Sequence, residues 1–161
     1  MDKLFQATMS LIEKLLIAIF IILIIDVSWQ VISRFVIGKS SSFTEELARF
    51  ALIWLTVLGA AYLNGKQTHL AIDIGLKGLT PKKRKRRKAV IELLMLAFAL
   101  VVMVIGGANL VYITLHLGQT SPALQVPLGF VYSIVPISGC FIVFFSIYHI
   151  LPQGKPSNSL S

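Results

Sequence analysis

Four long apolar segments constrain this chain more than any other feature: about 11–37, 43–65, 89–115 and 128–151. A membrane helix needs about 20 mostly apolar residues to cross the hydrocarbon core. All four segments qualify, the second only if its charged first turns belong to the interface. Spanning strands would have to alternate in polarity and close into a barrel, and these runs do not alternate. The expected fold is an all-α integral membrane protein with four transmembrane helices. They form one membrane domain, 1–151, with a basic loop at 66–88 and a disordered tail at 152–161. Composition agrees, because 14% of the residues are charged where a soluble domain carries roughly 25%.

The first segment superficially fits a signal peptide, since Lys3 and Lys14 precede "LLIAIFIILII". Asp26, Ser28, Trp29 and Gln30 follow, however, with no small-x-small cleavage site, so it reads as an uncleaved span. Orientation follows from Lys and Arg placement. With four spans, Lys3, Lys14, Lys66, Lys77, Lys155 and the run Lys82, Lys83, Arg84, Lys85, Arg86, Arg87 and Lys88 share one side. The other side holds Arg34, Lys39 and Arg49. Both termini are therefore expected in the cytoplasm.

The connections supply the local signals. Gly38 to Ser42 is a short polar turn, which makes the first two helices an antiparallel hairpin. Ser42 and Glu45 have capping-box spacing. Thr80 reads as an N-cap with Pro81 at the first helical position, and Pro127 as opening the fourth helix in the same way. Pro136 lies inside that helix and predicts a kink. The lone Cys140 forms no disulfide framework and reads as a small packed thiol.

Several function classes fall away. The basic run abuts a span and lacks the interleaved aromatics of a single-strand binder. Topology anchoring and attraction to anionic lipids explain it instead, so no nucleic acid is expected. "GAAYLNGK" (Gly59 to Lys66) has the wrong glycine spacing for a phosphate loop, and Gln67 stands where Ser or Thr belongs. Haem held in a bundle needs facing axial ligands; His69, His116 and His149 all fall near span ends or in a loop. His69 and Asp73 at i, i+4 read as a local hydrogen bond. No catalytic, metal or cofactor site is expected, and the chain is not read as an enzyme.

Two polar groups stand out. Asp26 lies about 16 Å along a helix starting near Leu15, close to the bilayer centre, where acids are functional hypotheses by default. With Gln30, Ser33 and Arg34 it makes a polar stripe. The stripe reads either as an ion-coupling site or, preferably, as a hydrogen-bonded packing seam. The second group is Arg34, Glu45, Glu46 and Arg49, two acids and two bases expected to meet at the mouth of the first hairpin. Glu45 and Arg49 have ion-pair spacing. The cluster reads as a clamp on the hairpin or as a charged face for a partner.

Residues 34–73, "RFVIGKSSSFTEELARFALIWLTVLGAAYLNGKQTHLAID", resemble the signature region of the small (Q-type) membrane subunit of tripartite ATP-independent periplasmic (TRAP) transporters. The matching positions are Arg34 and Phe35, Glu45, Glu46 and Arg49, Ile53 to Leu55, Gly59 to Ala61, His69 and Asp73. "SPALQVPLGFVYSIVPISG", Ser121 to Gly139, resembles the family's entry into its last helix.

The resemblance implies a large polytopic partner subunit that binds substrate and sodium and moves as an elevator. It also implies a periplasmic binding protein that delivers an organic acid such as a dicarboxylate or a sialic acid. The small subunit would act as a scaffold in a bacterial or archaeal inner membrane, without substrate or cofactor of its own. Small residues Gly59, Ala60, Gly106 and Gly107 are expected to provide close packing. The alternative from another class is an autonomous proton-coupled exporter using Asp26.

Overall fold

A computed structural model describes residues 2–36, 38, 41–66 and 81–150, the side chains of 81–85 and 88 excepted. His69, Asp73, Lys77, Thr80 and the tail from 152 lie outside the described residues. The helices are α1 (Asp2–Val36), α2 (Ser42–Gly65), α3 (Pro81–Phe98), a π-helical segment (Ala99–Gly106), α4 (Gly107–His116), α5 (Leu128–Tyr132) and α6 (Ile134–Ile150). They make four candidate membrane spans: Asp2–Val36, Ser42–Gly65, Ala89–His116 and Leu128–Ile150. Among the described residues the only extended pairing is an isolated bridge between Thr120 and Pro127.

The spans pack in the order first, second, fourth, third. The fourth is the most enclosed, and the first and third are mostly exposed along their length. Lipid tails supply no hydrophobic drive between helices, so close contact and hydrogen bonds hold such an array together. Glycine makes the closest contacts. A Cβ on Gly107 would lie 2.9 Å from Pro136 Cδ, and one on Gly139 would lie 2.8 Å from Met103 Cβ. The third and fourth spans therefore meet backbone to side chain in both directions. Gly65 admits Met9 and Phe145 in the same way, and Gly129 admits Leu115. Gly59 and Gly106 meet no neighbouring helix and Ala60 is exposed, so of the four small residues singled out only Gly107 packs within this chain.

Phe145, fully buried, joins Met9 and Ile12 in one cluster, with Phe5, Leu16 and Tyr62 against it. Phe5 stacks on Tyr148 at 4.2 Å between ring centroids, and the Tyr148 hydroxyl donates to Asp2 Oδ1 at 2.7 Å. These contacts explain why α1 starts at Asp2 rather than near Leu11. Its amino end, too polar to read as membrane, is held helical by the last span. A second cluster joins Ala61, Ala99 and Ile142.

The local signals resolved unevenly. α2 starts at Ser42, so Ser41 rather than Ser42 is the N-cap, and it makes no side-chain cap. The expected capping box is therefore absent. Instead the Thr44 hydroxyl donates to the Ser41 carbonyl at 2.9 Å. Pro81 does take the first position of its helix. Pro127 sits one residue earlier than expected, as the N-cap of α5.

Pro136 has a stronger effect than a kink: the span divides at Ser133 into α5 and α6. Proline has no N–H for the Tyr132 carbonyl and its ring crowds that group. The Trp54 indole N–H donates to the Val131 carbonyl at 3.0 Å, covering one of the acceptors at the end of α5. The π-helical segment was not legible in the sequence. Cys140 is exposed, contrary to the packed thiol expected, because the phase of α6 turns its neighbours Ser138, Gly139 and Ile142 inward instead.

Candidate functional site

The charged mouth of the first hairpin is built differently from the expected four-residue cluster. Glu45 and Arg49 do pair, at 3.4 Å, but both side chains are about two-thirds exposed. Such pairs contribute at most about 1 kcal/mol. Glu46, one residue along and so about 100° around the helix, is only 6% exposed. Its Oε2 accepts hydrogen bonds from the backbone amides of Ala123 at 3.0 Å and Leu124 at 2.8 Å. Arg34 is exposed and joins none of these groups among the described residues.

The reason lies in the loop between the third and fourth spans. The Ser121 carbonyl accepts from Gln125 N at 3.1 Å, and the Ser121 amide donates to Val126 O at 2.9 Å. Pro122 to Leu124 thus form a single helical turn closed on itself. Gln125 pays its part by adopting a φ of 55°, a region that few non-glycine residues visit. Such a turn leaves its first amides without acceptors, and the Glu46 carboxylate meets two of them as a cap supplied from another helix. An ionised acceptor strengthens both bonds. A recess of about 370 Å³, lined by Ser42, Glu45, Glu46, Arg49, Pro122 and Ala123, opens beside this latch.

Below it, the intramembrane stripe faces α2. Gln30 Nε2 donates to Asp26 Oδ2 at 2.8 Å and to the Thr44 carbonyl at 3.0 Å. One amide thus links the acid to the neighbouring span. Asp26 is 7% exposed. Ser33 is buried and donates within its own helix to Gln30 O at 3.1 Å. Arg34, at the end of the stripe, turns away.

At the opposite end of the array, Asn64 is 1% exposed. Its Nδ2 donates to Ser146 Oγ at 3.2 Å and lies 3.4 Å from the Ile142 carbonyl. His149 Nδ1 stands 3.9 Å from Glu92 Oε1, and His116 stacks on Tyr112 at 5.8 Å. Arg86 and Arg87 of the basic run are exposed on α3. No group of three or more His, Cys, Asp or Glu side chains converges as metal ligands would among the described residues.

Sequence reasoning gave Glu46 a place in the cluster but missed its partners. The available signal was "SPAL", a serine–proline pair that starts helical turns with no helix following. The Asn64 and Trp54 bonds were missed too, because only the packing order of the spans reveals what those side chains meet.

Comparison with known proteins bears on the same region. A 27% identical stretch of 131 residues, 81% of this chain and 80% of the relative, matches a putative TRAP transporter small permease protein of Haemophilus influenzae. The C4-dicarboxylate TRAP transporter small permease protein DctQ of Rhodobacter capsulatus is 32% identical over 66% of this chain and 47% of its own length. The isethionate TRAP transporter permease protein DctMQ of Oleidesulfovibrio alaskensis is 28% identical over 63% of this chain and 16% of its own length. The family described as tripartite ATP-independent periplasmic transporters, DctQ component, matches residues 23–153, which include the polar stripe, the Glu46 latch and the divided last span. With its four apolar helices, the chain is a multi-pass membrane protein and belongs to the DctQ component family of TRAP transporters.

Proposed function

We propose that this chain is the scaffold subunit of a sodium-coupled transporter that imports a small organic acid. It braces a large elevator-type membrane subunit and does not itself bind substrate. A periplasmic binding protein delivers the acid to the outer face, and sodium binds the large subunit. Relatives carry names that refer to C4-dicarboxylate and isethionate, both organic anions, and the second bears a combined name, DctMQ. Dicarboxylates, sialic acids and similar acids fall in the same class. Lys and Arg placement supports an inner-membrane orientation with cytoplasmic termini and a basic run, Lys82 to Lys88, lying against anionic lipids.

The observation that carries the reading is how the membrane polar groups are used. Asp26 is engaged by Gln30 and, through it, by Thr44; Asn64 is engaged by Ser146; Glu46 is engaged by the loop. The Gln30–Thr44 and Asn64–Ser146 bonds join one span to another, and the Glu46 bonds tie the second span to the loop before the fourth, as a brace requires.

Affinity purification from native membranes in mild detergent, followed by mass spectrometry, tests the proposal. The expected result is one large polytopic protein at about equal stoichiometry, and sodium-dependent uptake when the pair and the binding protein are reconstituted. Recovery of this chain alone or as a homodimer with export activity would overturn it in favour of an autonomous carrier using Asp26.

A further inference from the structure

α1 and α2 run antiparallel, but α1 has 35 residues and α2 has 24. Gly65, the last residue of α2, lies against Met9, so at 1.5 Å per residue α1 overshoots the end of α2 by about 10 Å. α2, about 36 Å long, nearly matches the roughly 30 Å hydrocarbon core plus its margins. The overhang, Asp2 to Thr8, therefore runs at headgroup depth on the side where α2 ends.

In the corner between overhang and helix end lies a cavity of about 610 Å³. Its apolar floor is Phe5 and Met9, and Gln6, Ser10 and Glu13 line one stripe of α1 at i, i+4 and i+7. Lys66, just past the end of α2, faces them. Gln6 and Ser10 make no side-chain hydrogen bond among the described residues, and Glu13 and Lys66 do not close into an ion pair there. The Lys66 ammonium lies 4.5 Å from the centre of the Tyr62 ring. Hydrogen bonding to Tyr62 holds its pKa above the usual lysine value, so it stays charged.

We propose that this corner binds the headgroup of an amine-bearing zwitterionic phospholipid. The phosphate pairs with Lys66 and the primary ammonium with Glu13, Ser10 and Gln6; the glycerol and first acyl carbons lie on Phe5 and Met9. The geometry selects among headgroups. A phosphoglycerol head brings two hydroxyls but no cation for Glu13. A phosphocholine head brings a cation with no N–H to donate. Phosphoethanolamine satisfies both charges.

The test uses the full-length purified protein, delipidated and titrated with phosphatidylethanolamine, phosphatidylcholine or phosphatidylglycerol under native mass spectrometry. The expected preference for phosphatidylethanolamine over phosphatidylglycerol is about tenfold. Glu13→Gln should abolish that preference, and Lys66→Gln should weaken all three lipids. Both positions are exposed, so neither change threatens the fold. Ser10→Ala, which leaves both charges in place, should weaken phosphatidylethanolamine alone. Equal affinities in the unmodified protein, or an undiminished preference in Glu13→Gln, would overturn the proposal. So would displacement of bound lipid by glycerophosphoethanolamine at matching concentration, which would assign the site to a soluble phosphate ester.

Discussion

The Glu46 carboxylate lies 2.8 Å from the backbone amide of Leu124, 78 residues further along the chain, and this contact joins the two hairpins at one end of the fold. Glu46 is the only link of its kind in the charged mouth among the described residues. Glu45 and Arg49 look outward, to solvent or to whatever docks there.

Removing the latch should therefore be costly. Glu46→Ala leaves two amides without an acceptor, at about 1–3 kcal/mol each, so a loss of about 3 kcal/mol in detergent unfolding is expected. Glu46→Gln keeps one neutral acceptor oxygen and should lose about a third of that. Equal stability of the alanine variant and the unmodified protein would show that the loop holds its own shape.

Arg49→Ala should behave in the opposite way. The pair with Glu45 is exposed, so chain stability should change by less than about 1 kcal/mol. If the outward charges serve a partner, recovery of the complex with the large subunit, or uptake by it, should fall while this subunit inserts normally. Full recovery and full uptake would assign these charges to solvation alone.

Packing of the third span on the fourth can be probed at its glycines. Gly139→Ala and Gly107→Ala place a methyl group within 3 Å of Met103 Cβ and Pro136 Cδ respectively. Overpacking of this kind costs about 1–3 kcal/mol. Gly59→Ala meets nothing within 4 Å in this chain and should leave the isolated subunit unchanged. Unfolding curves of the three variants in one detergent provide the comparison.

Trp54→Phe keeps the ring but removes the donor to Val131. The carbonyl left open at the division of the fourth span should lower stability by about 1 kcal/mol. A second readout is faster amide exchange in α5, measured by hydrogen–deuterium mass spectrometry.

Asp26→Asn keeps an oxygen able to accept from Gln30. On the scaffold reading, assembly and uptake should persist in this variant, with stability reduced by no more than about 1 kcal/mol. Uptake abolished in a fully assembled complex would make Asp26 a proton or ion site.

The four spans were legible because the bilayer imposes them, and the helix start at Pro81 because the fixed φ of proline suits a first helical position. Any stretch long and apolar enough must satisfy its backbone within a helix, whatever its neighbours. The family was legible for a related reason, since Glu45, Glu46 and Arg49 keep their spacing along one helix. Helix phase, too, placed Glu45 and Arg49 together.

The tertiary structure decided what phase could not reach. Glu45 and Glu46 are adjacent and chemically near-identical, yet one is solvated and the other is buried against Ala123 and Leu124. That difference depends on which hairpin lies alongside α2 and on a helical turn that leaves two amides open. Likewise Pro136 announced a weak point in its helix, but the donor that covers the break, Trp54, comes from another span. A sequence specifies what each helix offers, while partners separated by tens of residues follow from the order in which the spans pack. In a membrane, where every span is apolar and association rests on close contact and scattered hydrogen bonds, that order leaves little trace in the apolar pattern.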